Sequence, residues 1–117
     1  MVSTDETHFE NVLIALADPT RRQLLTLIAA RGKASATALA ATVTVSRQAV
    51  VKHLTVLNGA GLVKKDRIGR EVLFTVCPHQ LSTTAKWMES LAADWDQRLE
   101  WIKRMAEASN DPNDANL

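Results

Sequence analysis

The chain has 117 residues, 46% of them apolar, and a formal net charge of +1. That length suits one core, and no apolar run approaches the roughly 20 residues that span a bilayer. The start "MVSTDETHFEN" lacks a signal peptide's basic and apolar regions, and the single cysteine, Cys77, excludes an internal disulfide, so a cytoplasmic protein is expected.

Phe9, Val12, Leu13 and Leu16 follow helical spacing and predict a first helix over about residues 6–17. "DPTRRQLLTLIAARG" predicts a second, with Asp18 as cap, Pro19 at its first position, Leu24, Leu25 and Ile28 inward, and Gly32 at its end. "SATALAATV" predicts a short third helix from Ser35 to Thr42, followed by a tight turn at Thr44 and Val45. A fourth helix starts at Ser46 and stops near Gly59-Ala60-Gly61, where a glycine supplies the left-handed cap. "LVKKDRI" and "EVLFTVC" read as two strands joined at Gly69, and Pro78 ends the second. From His79 to about Ala108 the period is helical again, and the polar tail 109–117 is expected to be disordered.

The predicted fold is mainly α with a small β-hairpin, in the order α-α-α-α-β-β-α. Two short helices joined by a turn and followed by a basic hairpin make a winged helix-turn-helix. The whole of residues 1–117 forms one such domain, with its core between about residues 8 and 108.

Charge is distributed unevenly. Residues 1–20 carry four acids and no base, residues 21–70 carry ten bases against Asp66, and residues 71–117 carry four bases and eight acids. A cationic middle of this kind points to a polyanion, nucleic acid first. Projected at 100° per residue, the fourth helix turns Val50, Leu54, Leu57 and Gly61 inward. Gln48, Lys52 and Thr55 then point outward, with Val51 on one shoulder and Arg47 near the start. Such a face suits a major groove. Gln48 can pair with adenine, Arg47 with guanine, and Val51 can touch a thymine methyl. Ser46, Lys52 and Thr55 are expected to reach phosphate, and flanking His53 to pack or touch phosphate. The wing adds Lys64, Lys65, Arg67 and Arg70, laid along the backbone or into a minor groove. The plainer readings are a surface helix and a hairpin whose charges only blunt its edges.

The segments "ALADPTRRQLL" (15–25), "SRQAVVKHLTVLNGAGLV" (46–63) and "RIGREVLFTV" (67–76), with the long last helix, resemble the ArsR/SmtB family of bacterial winged-helix repressors. The resemblance implies a homodimer built through the first and last helices, and operator binding relieved by an effector. The dimer interface then draws on Phe9, Val12, Leu13 and Leu16 and on Trp87, Leu91, Trp95, Leu99 and Ile102 of a wide apolar stripe, with Trp101 off it. Family sensors of metals carry cysteines or histidines that this chain lacks. Leu39-Ala40-Ala41-Thr42-Val43 stands where a cysteine pair is common, and no histidine follows His79. Cys77 and His79 fall short of the three or four ligands of a stable site. The sequence therefore resembles the branch that does not depend on metal, and no cofactor is expected. A metal-responsive sensor using Cys77 and His79 is the alternative, as is a protein-interaction module. Ser46 and His53 have no acid between them to orient the histidine, so an enzyme is not expected.

Overall fold

The computed structural model describes residues 4–109, with side-chain surroundings from Phe9 onward. Of the expected tail 109–117, Ser109 is instead the last residue of the final helix, and residues 110–117 lie outside the described residues. The elements are α1 (Thr4–Leu16), α2 (Pro19–Arg31), β1 (Ala34–Ser35), α3 (Ala36–Ala40), α4 (Arg47–Gly59), β2 (Val63–Ile68), β3 (Glu71–Val76) and α5 (Pro78–Ser109). They form two compact units, one ending at Thr84 and one beginning at Ala85.

In the first unit, helix boundaries follow from local chemistry. Asp18 Oδ1 accepts from the backbone N–H of Thr20 at 2.8 Å and Arg21 at 3.1 Å, which starts α2 directly after Pro19 takes its first position. α1 has no basic residue in its own last turn. Arg21 and Arg22 reach back to serve it: Arg21 Nε donates to Ala15 O at 2.7 Å, Arg21 Nη2 to Ile14 O at 3.0 Å, and Arg22 Nη1 to Leu16 O at 2.6 Å. Three of the carbonyls left over at the end of α1 are thereby satisfied, and α1 is pinned to α2.

α4 is capped at both ends. Ser46 Oγ accepts from Ala49 N at 3.1 Å. At the other end Leu62 N donates to Leu57 O and Gly61 N to Asn58 O, each at 3.0 Å, the paired bonds of a Schellman motif. The residue that turns left-handed is Gly61, at φ +75°. It therefore lies past the helix end and is not part of the inner stripe that the projection assigned to it. Val50, Leu54 and Leu57 do form that stripe and are fully buried with Leu24, Ile28, Leu39 and Leu62. Each such side chain contributes about 1.5–3 kcal/mol of burial free energy.

The sheet has three strands, in the order β1-β3-β2, all antiparallel. The expected hairpin is present, with Ile68 opposite Glu71 and a two-residue turn at Gly69-Arg70, where Gly69 takes φ +65°. β1 is an addition to the expected order. Ala34 pairs with Phe74 and Ser35 with Leu73, so the chain covers the second edge of β3 before α3 begins. Ser35 then caps α3, its Oγ accepting from Ala38 N at 3.1 Å. α3 ends at Ala40, earlier than expected, and Leu39 O accepts from both Thr42 N and Val43 N, at 3.0 and 3.2 Å, in the turn that follows. The connection to α4 is thus residues 41–46 and not a turn of Thr44 and Val45 alone. Its extra length buries Val43 and half-buries Val45 against the core.

Val12 is 0% exposed within the first unit. It is a core residue of the single chain, whereas the sequence reading sets it towards a second copy. Adjacent residues on a helix diverge by about 100°, and here the packing turns Val12 fully inward and leaves Leu13 39% exposed. α1 exposes Leu13 and Ile14 instead, while Phe9 and Leu16 are half-buried.

In the second unit α5 continues from Ala85 to Ser109. Its Trp87, Met88, Leu91, Trp95, Leu99, Trp101, Ile102 and Met105 are 37–59% exposed. Trp101, expected off the stripe, is exposed to much the same degree as the residues on it. Arg98 places its guanidinium 5.6 Å from the centre of the Trp95 ring, a cation–π contact one turn apart.

Candidate nucleic-acid interface

The outer face of α4 presents Gln48, Lys52 and Thr55, all exposed. Thr55 Oγ1 donates to Val51 O at 2.9 Å, which leaves its lone pairs facing outward. Arg47 is held by α3, its Nε donating to Thr37 Oγ1 at 3.0 Å. The two Nη groups stay available, so the side chain is aimed without being consumed. Val51 is exposed on the shoulder towards the wing. Ser46 spends its hydroxyl as acceptor on the Ala49 N–H and keeps its own hydrogen for a further partner.

His53 occupies the opposite flank and is half-buried. Arg21 Nη1 lies 3.4 Å from His53 Nδ1. A guanidinium only donates, so this is a hydrogen bond when Nδ1 carries no proton. The same Arg21 that closes α1 thus braces α4 from behind. Asp18 lies close to this pair. The hydrogen bond from Arg21 N, and that from Thr20 N, hold its carboxyl below the usual carboxylate range against a smaller opposing effect of burial, with His53 and the Arg21 charge adding to the lowering.

Three of the ten bases in the cationic middle therefore serve the fold. Arg31, the third, donates through Nη2 to Thr42 Oγ1 at 2.7 Å across the α3–α4 connection. Sequence distribution alone placed Arg21, Arg22 and Arg31 with the surface charges. A signal for their role existed in the arginine pair following the Asp18-Pro19 helix start, one turn from the end of α1.

On the wing, Lys64, Lys65, Arg67 and Arg70 are all exposed. Lys64 Nζ stands 3.8 Å from Asp66 Oδ2, with both side chains more than half exposed. Strand alternation puts Lys65 and Arg67 on the other face of β2, with their partners Phe74 and Val72. A cleft of about 690 Å³ runs between that face, α4 and the start of α3. Arg47, Val51, Leu54, Thr55 and Asn58 line it from α4, and Lys65, Arg70, Glu71, Val72 and Phe74 from the wing. Sequence reasoning found the helix and the wing but not the cleft, whose apolar floor depends on their packing.

Among the described residues, no group of three or more His, Cys, Asp or Glu side chains could hold a metal ion. Cys77 is half-buried, its N–H donating to Leu62 O at 2.9 Å, and His79 is exposed. No helix among the described residues is long and apolar enough to cross a membrane.

A capped helix with a polar, cationic outer face, set beside a basic two-stranded wing, defines a winged helix-turn-helix DNA-binding transcriptional regulator. The profile of the helix-turn-helix domain family matches residues 16–66. The chain is 40% identical to an ArsR-like transcriptional regulator from Rhodococcus sp. RHA1, over 86% of this chain and 93% of that one, with a TM-score of 0.78. It is 34% identical to a possible transcriptional regulator for arsenical resistance, over 77% and 93%, with a TM-score of 0.63. It is 25% identical to the homodimeric winged helix-turn-helix DNA-binding domain of a possible ArsR-family regulator from Mycobacterium bovis, over 75% and 80%, with a TM-score of 0.61. No curated protein matches it. The chain belongs to the ArsR family of transcriptional regulators. Its fold and family are those of regulators, not of enzymes.

Proposed function

We propose that the protein is a cytoplasmic homodimeric repressor that binds an imperfect palindrome in double-stranded DNA. The observation that carries this reading is the outer face of α4, where Gln48, Lys52 and Thr55 are exposed together beside Arg47. Gln48 and Arg47 read base edges, Val51 meets a thymine methyl, Ser46 and Lys52 reach phosphate, and Thr55 reaches phosphate by turning its hydroxyl away from Val51 O. Lys64, Lys65, Arg67 and Arg70 of the wing neutralise phosphate to either side. His53 acts indirectly, through its contact with Arg21.

The dimer forms through Leu13 and Ile14 of α1, with Phe9 and Leu16 beneath them, and through Trp87, Leu91, Trp95, Leu99 and Ile102 of α5. So wide an exposed apolar stripe supports burial against a second copy, and the homodimeric relative agrees. Two copies of α4 then enter successive major grooves, with half-site centres about 10 base pairs apart. Where such a site overlaps a promoter, the bound dimer excludes polymerase.

Selecting bound sequences from a random DNA pool tests this directly. The expected outcome is an imperfect palindrome with half-sites about one helical turn apart. Enrichment of no sequence, or of single-stranded RNA over duplex DNA in competition, would overturn the reading.

A further inference from the structure

The cleft between α4 and the wing has a chemistry that a nucleic-acid backbone does not require. Val51 and Val72 stand 41% and 40% exposed along it, over Leu54 and Phe74. A phosphate chain gains nothing from these side chains, whereas an apolar body would remove them from water. Arg47, Lys65 and Arg70 lie in the lining against one carboxylate, Glu71. Arg47 is already aimed, because Thr37 holds its Nε and leaves the Nη edge to face an anion. The half-buried Asn58 amide adds one donor and one acceptor to the lining. The volume, about 690 Å³, falls in the range of small-molecule sites.

We propose that this cleft binds an amphipathic organic anion, an aryl or alkyl body carrying one carboxylate, and that the ligand competes with DNA. The apolar body lies between Val51 and Val72, and the carboxylate pairs with Arg47 and the wing cations. Lys65, Arg70 and Arg47 cannot serve such a ligand and DNA at once, so occupancy releases DNA by direct exclusion. The competition rests on the DNA-binding surface proposed above, whereas the ligand site itself does not.

The probes are naphthoate and its uncharged isostere naphthamide, titrated calorimetrically into the full-length protein without DNA. Methyl shifts in NMR spectra of the same protein locate the site. The expected result is one naphthoate per chain, shifts at the methyls of Val51, Leu54 and Val72, and naphthamide at least about tenfold weaker. Val72→Trp, which fills the cleft from a residue outside the proposed DNA contacts, should abolish naphthoate binding and leave the circular dichroism spectrum intact. In anisotropy titrations on a selected DNA site, naphthoate should raise the apparent Kd of the wild type in strict competition. Shifts confined to α5, equal binding of naphthamide, or no binding of naphthoate would each overturn the site. Cleft binding that leaves DNA affinity untouched would overturn the competition. Ligand binding at the cleft by a protein that binds no duplex DNA would overturn the regulatory reading and leave the ligand site standing.

Discussion

Arg47 Nε donates to Thr37 Oγ1 at 3.0 Å, so the first residue of α4 is oriented by a side chain of α3. A bidentate contact to guanine needs a guanidinium fixed in plane, and Thr37 supplies that constraint without touching DNA. Thr37→Val keeps the side chain's shape and removes the acceptor. The expected loss is about 0.5–1.5 kcal/mol on the selected site and little on scrambled DNA. Anisotropy titrations on both sequences check this. An equal loss on both would mean that Thr37 supports the fold and not the aim of Arg47.

The helix and the wing should separate energetically. Gln48→Ala is expected to cost about 1–3 kcal/mol on the best site and much less on a scrambled one. Arg70→Ala removes two phosphate contacts from a dimer, so the slope of log affinity against log salt flattens by up to ~2 units on both sequences. A salt series with each variant on each DNA decides it. The assignments are reversed if Gln48→Ala weakens both DNAs equally while Arg70→Ala alters sequence preference.

Much of the first unit was legible because its signals are local. Asp18 before Pro19, Ser35 and Ser46 as caps, and the Val50-Leu54-Leu57 spacing each depend on residues within a turn or two, and each is where it was expected. What escaped depends on partners far along the chain. Ala34 and Ser35 have little strand propensity, and β1 exists because the open edge of β3 takes them as partners. Arg21 reads as surface charge until the end of α1 is brought beside it. Val12 and Leu13 are equally apolar, and only packing decides that the first is core and the second is exposed. In the site, the Gln48–Lys52–Thr55 face follows from the helical period, while the apolar cleft follows from the distance between two elements.

Gly61 carries two constraints at once. Its φ is +75°, and a Cβ there would meet Gln80 Cγ at 3.0 Å. Gly61→Ala is therefore expected to destabilise by roughly 1–2 kcal/mol. Gly59 is the last residue of α4 and has open space around it, so Gly59→Ala should be neutral or stabilising. Urea unfolding of both variants checks the pair. Equal effects at the two positions would show that the left-handed cap is not the constraint.

Asp18 makes stability depend on acid. Its carboxyl titrates below the usual range because its charged form accepts from Arg21 N and Thr20 N. The stabilisation is thus fully present above the ordinary carboxylate pKa and is lost as pH falls through the lowered one. Asp18→Asn keeps a capping side chain but removes the titration. Between ~pH 7 and ~pH 3 the Tm of the wild type should fall further than that of Asp18→Asn. Parallel curves for the two proteins would assign the acid sensitivity to other carboxylates.

Core and interface should separate on α1. Val12 is 0% exposed and Ile14 is 56% exposed, so two residues of similar chemistry, two positions apart, should fail in different ways. Val12→Ala removes buried methyls and is expected to cost about 2 kcal/mol of stability while the dimer persists. Ile14→Glu exposes its charge freely in a single copy, so the chain still folds, but a second copy must desolvate that charge. Trp95→Glu should act likewise from α5, where Trp95 is exposed beside Arg98. Light scattering at micromolar concentration should give twice the chain mass of 12.9 kDa for the wild type and Val12→Ala, and the single mass for Ile14→Glu and Trp95→Glu. Loss of the dimer also removes one of the two half-site contacts, so these two variants should bind a palindrome no better than a single half-site. A dimer that survives both charges but dissociates on Val12→Ala would place the interface on the other side of α1.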